Sequence, residues 1–285
     1  MKNSSALNAS QQEERNRVKL ENVITLKKLM CRLIQNRKSL NCPLDVSILD
    51  KLIPLTIFGK SSPETLPNEM DMLTEDELLH NCYSIMTAGF ETTAHTLVVS
   101  LYNLQTFDTE VLQDKKYIKG LVKESLRLFP PVLQMIRYSL EDVYLGDILV
   151  SKGTRVYCDI IGTHYSKSYW GNHPEDFDLN RWISNENCTT PELQKSTSSF
   201  LETNNKKHWI PFGYGAKSCV GQSLAMMVVE SVLETFLEHF DVVGCKILKP
   251  FKFTQTPSMR VNSLELLIKR KDPRNQLKTF NVTIC

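Results

Sequence analysis

One cysteine of this sequence stands where a reactive thiolate is expected. Cys219 lies in the stretch PFGYGAKSCVG, directly before a long apolar segment. A cysteine just ahead of a helix N-terminus is stabilised as the thiolate by the helix dipole and by free backbone N–H groups. Such a thiolate can act as a nucleophile or as a metal ligand, and the alternative is a buried structural thiol in a glycine turn.

The glycines around this cysteine indicate that something large approaches the loop. Glycine is costly in an ordered chain, but it is the usual residue where the backbone turns tightly or allows a close approach. A nucleophile would need a neighbouring base, and the loop offers only Lys217. A metal held by one cysteine has to bring most of its own ligands, as haem does. Gly213, Gly215 and Gly221 would then make room for a flat macrocycle, although the loop alone leaves the structural thiol open.

An acid–alcohol pair in the stretch AGFETTAHT is the second candidate. Glycine inside a helix costs roughly 1 kcal/mol relative to alanine, so Gly89 needs a reason. Thr92 can hydrogen-bond back to the carbonyl of Ala88 and bend the helix. The small residues beside Glu91 and Thr92 could therefore open a groove that holds water, and the alternative is a close helix crossing with a capped polar patch.

A carboxylate and a guanidinium stand one helical turn apart in the stretch KESLRLFP. Pairs such as Glu124 and Arg127 are usually solvated surface salt bridges of little energetic worth. Here leucines and a phenylalanine crowd the pair, and a buried pair would need a further partner for the guanidinium. Arg181 in FDLNRW is the candidate partner, and Arg137 in VLQMIRYS faces either a cofactor carboxylate or solvent.

Helices are expected to position these groups. Thr74 and Glu77 form a predicted capping box, which opens a helix from Glu75 to about Gln105. The later part of this helix lacks a broad polar face and should lie through the middle of the protein. Other predicted helices cover about 23–55, 117–128 and 222–240, and β-structure is expected as a hairpin and strand over 143–159 and a final strand over 263–271. The fold class is therefore mainly α with minor β.

Composition narrows the function classes. The chain has 285 residues, and its 34 basic and 32 acidic side chains leave a net charge of +2. That balance argues against a nucleic-acid binder, which usually carries a concentrated basic face. No run of 18 apolar residues occurs, so no transmembrane helix is predicted. None of the eight cysteines forms a CxxC pair, which argues against a zinc ribbon and favours mostly inert thiols in a reducing compartment.

In this order, the stretches AGFETT, ESLR and FGYGAKSCVG resemble three motifs of the cytochrome P450 family of haem-thiolate monooxygenases. They are similar to its oxygen-activation segment, its Glu-x-x-Arg helix and its cysteine-ligand loop. The resemblance covers roughly residues 23–270 and corresponds to the C-terminal half of a full-length member. It implies a cytochrome P450 fold truncated at the N-terminal side, with residues 1–285 as the C-terminal portion of a single domain. Residues 1–73 would be a helical lead-in, and residues 74–285 would carry the three motifs.

The resemblance also implies a role for each motif residue. Cys219 would be the proximal ligand of the iron in haem b, with Phe212 packed near the sulfur. Thr92 and Glu91 would handle protons on the opposite face of the haem. The other cofactor-binding positions would be Ala88, Arg137, Gly213, Lys217 and Gly221, with Arg137 and Lys217 at the propionates. A buried triad that locks the second helix to the cysteine loop would consist of Glu124, Arg127 and Arg181. Substrate contacts would come from Phe90, Val132, Leu133, Met135 and Met259.

The activity implied by the resemblance is the insertion of one oxygen atom from O2 into a small hydrophobic organic substrate. Electrons would come from NADPH through NADPH-cytochrome P450 reductase. The full-length protein would associate with the endoplasmic reticulum membrane on its cytosolic face, with no nucleic-acid partner. The alternatives are an inactive or regulatory truncated haem-binding fragment, and a haem-thiolate isomerase, which would not need the Glu91-Thr92 pair.

Three features depart from the family pattern. The N-terminal half of the family fold has no counterpart in this sequence. Only 30 residues lie between Thr93 and Glu124, an interval in which family members place extra helices. Lys217 and Asn180 stand where arginine and glutamate are usual, and a lysine neutralises a propionate as a point charge rather than as a fork. We therefore expect poor haem retention by residues 1–285 alone.

Overall fold

The structure is a computed structural model that describes residues 9–39, 49, 52–53, 56–57, 72–105, 114–183, 207–247, 264–271 and 279–284. The chain divides into two compact units, Met1–Ala88 and Gly89–Cys285. Most of the predicted polar loop over 184–207 lies outside the described residues, as does Met259.

The first unit is built on one long helix, α1, which spans Ala9–Ser39. It begins well before the predicted stretch 23–55, and residues 40–48 lie outside the described part of the chain. Met30 and Ile34 are one turn apart on α1 and form a small buried cluster with Leu78 and Leu79. A short parallel strand pair, β1 at Thr56–Ile57 and β2 at Leu73–Thr74, completes this unit.

Helix α2 spans Glu75–Leu104, close to the predicted bounds, and crosses from the first unit into the second. The predicted capping box is confirmed, because the amide of Thr74 donates to Glu77 Oε2 over 2.8 Å and the amide of Glu77 donates to Thr74 Oγ1 over 3.2 Å. The expectation of a central helix holds only from His95 onward. Residues 83–90 are all exposed, since no described element covers them.

The second unit has its core between two helices, α3 at Lys115–Leu128 and the helix at Gln222–His239, named α6 below. Helix α3 begins two residues before the predicted start because Asp114 caps it, accepting a 3.0 Å hydrogen bond from the amide of Lys116. Helix α3 ends at Leu128, directly before the Phe129 cap and the predicted proline stop. Helix α6 ends one residue earlier than predicted because Phe240 begins a strand.

The β-structure is minor and lies in the second unit apart from β1 and β2. Strand β3 at Gln134–Tyr138 pairs antiparallel with β6 at Arg155–Asp159, and β4 at Val143–Leu145 forms a hairpin with β5 at Ile148–Val150. Strands β7 at Phe240–Ile247, β8 at Leu264–Arg270 and β9 at Thr279–Ile284 form a sheet in that order. Two short helices, α4 at Ile160–His164 and α5 at Lys167–Trp170, follow β6. The mainly α class, the hairpin and the strand after it are confirmed. The strand within 263–271 is also present, but the expectation that it is the final strand is wrong, because β9 follows and pairs with it.

Candidate functional site

The cysteine loop is closed by a backbone hydrogen bond across its neck. The amide of Cys219 donates to the carbonyl of Phe212 over 2.8 Å. Gly213 and Gly215 have φ values of +77° and +76°, a left-handed conformation that glycine adopts without steric cost. A 3-10 turn over Gly215–Lys217 then returns the chain to the start of α6. The loop therefore delivers Cys219 to the helix N-terminus, as its sequence predicts.

The side chain of Cys219 is exposed rather than packed in a core. Its neighbour Val220 is 97% exposed, so both residues at the tip of the loop face outward. A Cβ built on Gly221 would lie 3.9 Å from the Cys219 sulfur, an ordinary van der Waals contact. The buried structural thiol, one of the two interpretations left open by the loop alone, does not describe this cysteine.

Strand β3 meets the loop through a methionine. A Cβ built on Gly213 would lie 2.8 Å from the sulfur of Met135, so a larger residue would displace that side chain. Met135 and Arg137 alternate with exposed residues along β3 and lie on the same, half-buried face of the strand. The Arg137 guanidinium donates to the carbonyl of Ile136 over 3.0 Å and lies 3.9 Å from the Met135 sulfur.

The predicted propionate partners therefore lie on two elements in contact. Arg137 is carried by β3, and Lys217 lies exposed in the 3-10 turn of the loop. The two elements touch at Met135 and Gly213. Arg137 and Lys217 are thus carried by two elements in contact, and Lys217 lies two residues before the exposed Cys219.

The ion pair predicted in α3 is fully buried. Arg127 donates from Nε and Nη2 to the two carboxylate oxygens of Glu124, over 2.9 and 2.7 Å. Its remaining N–H groups donate to three carbonyl oxygens, at 2.9, 2.6 and 3.0 Å, which belong to His164, Pro174 and Asp176. All five guanidinium donors are thus used, which is what a buried arginine requires.

The second face of the Glu124 carboxylate receives groups from the segment after α5. The amide of Asp178 and the indole of Trp182 donate to it over 3.1 and 2.8 Å. Arg181 places its Nε 3.4 Å from Oε1, an ion contact whose angle does not make a hydrogen bond. The structure thus brings Glu124, Arg127 and Arg181 together, although Arg181 pairs with the carboxylate rather than completing the guanidinium of Arg127.

Aromatic rings connect this pair to the cysteine loop. The ring of Trp182, which bonds Glu124, packs edge-on against Trp209 with centroids 5.7 Å apart. Trp209 packs edge-on against Phe212 at 6.0 Å, and its indole donates to the carbonyl of Lys123 in α3 over 3.1 Å. Phe212 is therefore the last of three rings in edge-on contact. The first ring, Trp182, bonds the buried carboxylate, and Phe212 lies at the neck of the loop.

Glu91 and Thr92, the pair predicted to handle protons, lie in the less exposed half of α2. Glu91 and Thr92 are half-buried, and Ala88 and Phe90 are exposed, Phe90 to 72%. One turn after Thr92, the buried His95 places Nε2 3.0 Å from the carbonyl oxygen of Phe129, at the end of α3. Burial lowers the pKa of His95 below its ordinary value.

The segment after α3 carries two of the predicted substrate-contact residues. Val132 and Leu133 are half-buried, and the carbonyl of Leu133 accepts the amide of Ile160 over 3.0 Å. That hydrogen bond joins the segment to the start of α4. The sequence analysis assigns no role to the buried His95 or, in α4, to the buried His164. Neither residue lies within the stretches AGFETT, ESLR and FGYGAKSCVG.

The donor set fits a metal that brings its own ligands. No group of three His, Cys, Asp or Glu side chains with metal-binding geometry occurs in the described ranges. Cys219 is a single exposed sulfur at the N-terminus of an 18-residue helix. A porphyrin brings four nitrogen ligands of its own, and Cys219 would supply the sulfur. A mainly helical fold in which Cys219 is the exposed member of the cysteines described, on a glycine loop, fits the class of cysteine-ligated haem proteins.

The family comparison agrees with this class. The model of the family described as cytochrome P450 matches residues 13–111 and 105–269, so the chain belongs to the cytochrome P450 family. The two matches meet inside the interval 94–123, which the sequence predicts to be shortened relative to the family.

Individual relatives span plants and animals. The chain is 29% identical over 193 residues to a putative cytochrome P450 of Caenorhabditis elegans, covering 60% of this chain and 35% of the relative. It is 30% identical to cytochrome P450 714C2 of Oryza sativa subsp. japonica, covering 59% and 33% of the two chains. A cytokinin hydroxylase of Arabidopsis thaliana is 26% identical, covering 64% and 38%. The chain thus spans about a third of the length of the curated relatives it matches.

A solved structure shows the same fold. The haem domain of a cytochrome P450DA variant matches with a TM-score of 0.66 at 18% identity, covering 96% of this chain and 58% of that one. The predicted P450 fold is therefore confirmed, with part of the solved domain having no counterpart here. Among the described helices, none combines the length and apolar character needed to cross a bilayer.

Proposed function

We propose that this chain belongs to a haem-thiolate monooxygenase that inserts one oxygen atom from O2 into a small hydrophobic organic substrate. The electrons come from NADPH through NADPH-cytochrome P450 reductase, on the cytosolic face of the endoplasmic reticulum membrane. The observation that carries the proposal is the exposed Cys219 at the N-terminus of α6, on a loop closed by the Phe212–Cys219 hydrogen bond.

The haem group is held by residues of the loop and of β3. Haem b, when bound, supplies the oxygen-activating chemistry. Cys219 provides the sulfur ligand, and Gly213 and Gly221 keep side chains away from the loop backbone. Arg137 and Lys217 neutralise the two propionates, for which Arg137 exchanges its weak contact with the Met135 sulfur for a charged partner.

Residues of α2 would handle protons. The Thr92 hydroxyl would hold a proton donor and the Glu91 carboxylate would relay protons from solvent, since both side chains are half-buried. Val132, Leu133 and Met135 contact the apolar substrate, together with Phe90, and Met259 is proposed for the same role from outside the described residues. Glu124, Arg127 and Arg181 hold the loop in place without contacting the substrate.

A second candidate is a haem-binding protein without turnover. The observation that favours it is the exposure of residues 83–90 of α2, directly before Glu91. Water that reaches this stretch would weaken electrostatic control of the proton-handling pair, which would impair turnover without removing the Cys219 sulfur as a haem ligand. A haem-thiolate isomerase is less favoured because it does not need Glu91 and Thr92.

One experiment separates these candidates. The full chain is reconstituted with hemin, reduced under carbon monoxide and examined by absorption spectroscopy, and then supplied with NADPH and a reductase. A strongly red-shifted Soret band with product formation supports the monooxygenase, and the band without product supports the second candidate. A spectrum typical of imidazole-ligated or free haem would overturn both.

A further inference from the structure

A buried histidine outside the predicted site joins α3 to the segment that leads into the cysteine loop. His164 is fully buried at the end of α4. Its Nδ1 lies 3.0 Å from the carbonyl oxygen of Arg127, and the amide of Ile210 donates to its Nε2 over 3.0 Å. Because a backbone amide only donates, Nε2 is the acceptor and Nδ1 carries the proton. The ring is therefore neutral and held in one tautomer.

The backbone of the loop continues from this anchor. The carbonyl of Ile210, whose amide is held by His164, accepts the amide of Gly213 over 3.0 Å. Within the same turn, the carbonyl of Phe212 accepts the amide of Cys219 over 2.8 Å. Hydrogen bonds thus run from α3 through His164 to Ile210, and from there along the loop to the cysteine.

The main chain and the ring of His164 have separate partners. The carbonyl of His164 accepts the Arg127 guanidinium over 2.9 Å, while the ring lies edge-on to Trp170 with centroids 6.4 Å apart. The ring nitrogens bond other groups: Nδ1 bonds the carbonyl of Arg127, and Nε2 bonds the amide of Ile210. His164 is consequently a direct polar link between α3 and Ile210, beside the separate bond of the Trp209 indole to the carbonyl of Lys123.

We propose that His164 is a positioning residue for Cys219. The acceptor Nε2 fixes the amide of Ile210, and through the two loop hydrogen bonds it fixes where the Cys219 sulfur lies relative to the N-terminus of α6. The inference deepens the proposed function and rests on it only for the haem measurement below. Its core, the anchoring of the loop by one imidazole nitrogen, is measurable in the full chain without haem.

Two variants isolate the acceptor. His164→Gln places an amide oxygen near the position of Nε2, and His164→Phe fills the volume without any acceptor. His239→Gln is the matched control, because His239 is an exposed histidine on α6 whose Nδ1 hydrogen-bonds the carbonyl of Thr235 within the same helix. Each variant is compared with the unmodified full chain.

Amide hydrogen exchange gives the first measurement. We expect His164→Phe to lower the protection factors of the Ile210, Gly213 and Cys219 amides about tenfold relative to the core amide of Leu121, since a buried donor loses its acceptor. His164→Gln and His239→Gln should stay within about twofold on the same scale. An equal loss at Leu121 and at the loop amides would show a general packing role and overturn the proposal.

Haem ligation gives the second measurement. After reconstitution with hemin and reduction under carbon monoxide, the fraction of bound haem with the red-shifted Soret band should fall in His164→Phe and be largely retained in His164→Gln. An unchanged fraction in His164→Phe overturns the link to Cys219. If the unmodified chain itself shows no such band, the proposed function fails, and the hydrogen-exchange comparison still decides whether His164 anchors the loop.

Discussion

Arg127 and Glu124 form a fully buried, two-pronged ion pair, with Nε–Oε2 and Nη2–Oε1 distances of 2.9 and 2.7 Å. The pair is not isolated, because every other guanidinium N–H reaches a backbone carbonyl and the carboxylate also receives the Trp182 indole. A charge pair this completely satisfied fixes the segments that supply its partners. One of those segments leads, through Trp182 and Trp209, to the neck of the cysteine loop.

Removal of the guanidinium should destabilise the protein severely. Arg127→Met takes the two-pronged cation from the buried Glu124 carboxylate, which keeps the 3.4 Å contact to Arg181, and removes the donor from three carbonyls. We therefore expect a loss of about 3 to 5 kcal/mol in the free energy of unfolding. Urea unfolding followed by circular dichroism measures it. The matched control is Lys115→Met, which breaks the 2.9 Å pair with Glu234, where the lysine side chain is 75% exposed. It should cost far less, because a solvated ion pair contributes little to stability. Equal losses in the two variants would contradict the buried-pair account.

Stability should depend on pH through His164. Burial, and secondarily the nearby charge of Arg127, lowers the pKa of His164 from 6.5 to about 4. Between these values the unfolded chain binds a proton that the folded chain does not, so stability falls as the pH falls. The contribution is fully present above pH 6.5 and is lost by about pH 4, a change of roughly 3 kcal/mol at 1.36 kcal/mol per pKa unit.

The measurement for this prediction is urea unfolding at several pH values across that window. His164→Gln has no titrating ring, so its unfolding free energy should fall less steeply with decreasing pH than that of the unmodified chain. His239→Gln, which removes an exposed histidine, should retain the steep slope. Parallel slopes in the unmodified chain and in His164→Gln would show that this imidazole is not the source.

Gly213, which precedes the 3-10 turn of the cysteine loop, should tolerate substitution by alanine poorly. Gly213→Ala places a Cβ at a φ of +77° and against the Met135 sulfur, whereas Gly215→Ala has a φ of +76° with open space. Both should lose about 1 to 2 kcal/mol from the left-handed backbone. Gly213→Ala should lose more because Met135 must move, and Met135→Ala added to it should recover that difference. Thermal or urea unfolding gives the comparison, and identical losses without recovery would argue against the Met135 contact.

Cys219 should be the cysteine on which the haem spectrum depends. Cys219→Ser replaces the sulfur with a hydroxyl that is a poor thiolate substitute, and the red-shifted Soret band of the reduced, carbon-monoxide-bound chain should disappear. Cys158→Ser, at a half-buried cysteine on β6, should leave the band in place. Persistence of the band in Cys219→Ser would identify a different ligand.

Thr92 should control where electrons go rather than whether haem binds. In a reconstituted system with reductase and substrate, Thr92→Ala should keep the haem spectrum but divert NADPH-derived electrons to peroxide, because the hydroxyl no longer holds a proton donor. Thr93→Ala, one residue along α2, serves as the control. NADPH consumption, peroxide and product are measured together, and normal coupling in Thr92→Ala would remove its proposed role.

Local sequence signals predicted most of the secondary structure and the loop. These signals are the capping box of Thr74 and Glu77, the proline stop after α3 and the glycines around Cys219. They act between residues that are close in sequence, so their effect can be predicted from the sequence. Helix ends moved by one or two residues where a side-chain cap, such as Asp114, was not anticipated. Helix α1 begins at Ala9, well before the predicted start at residue 23, because weak periodicity sets a helix boundary poorly.

The sequence by itself determined the family, the order of its motifs and the single cysteine at a helix start. Only the tertiary structure decided that Arg181 contacts the Glu124 carboxylate rather than serving Arg127, that Met135 lies against Gly213, and that His164 bridges Arg127 and Ile210. The physical reason is separation along the chain: these partners meet only after the segments between them have folded. Burial then selects which polar atoms must pair, and no local pattern encodes that choice.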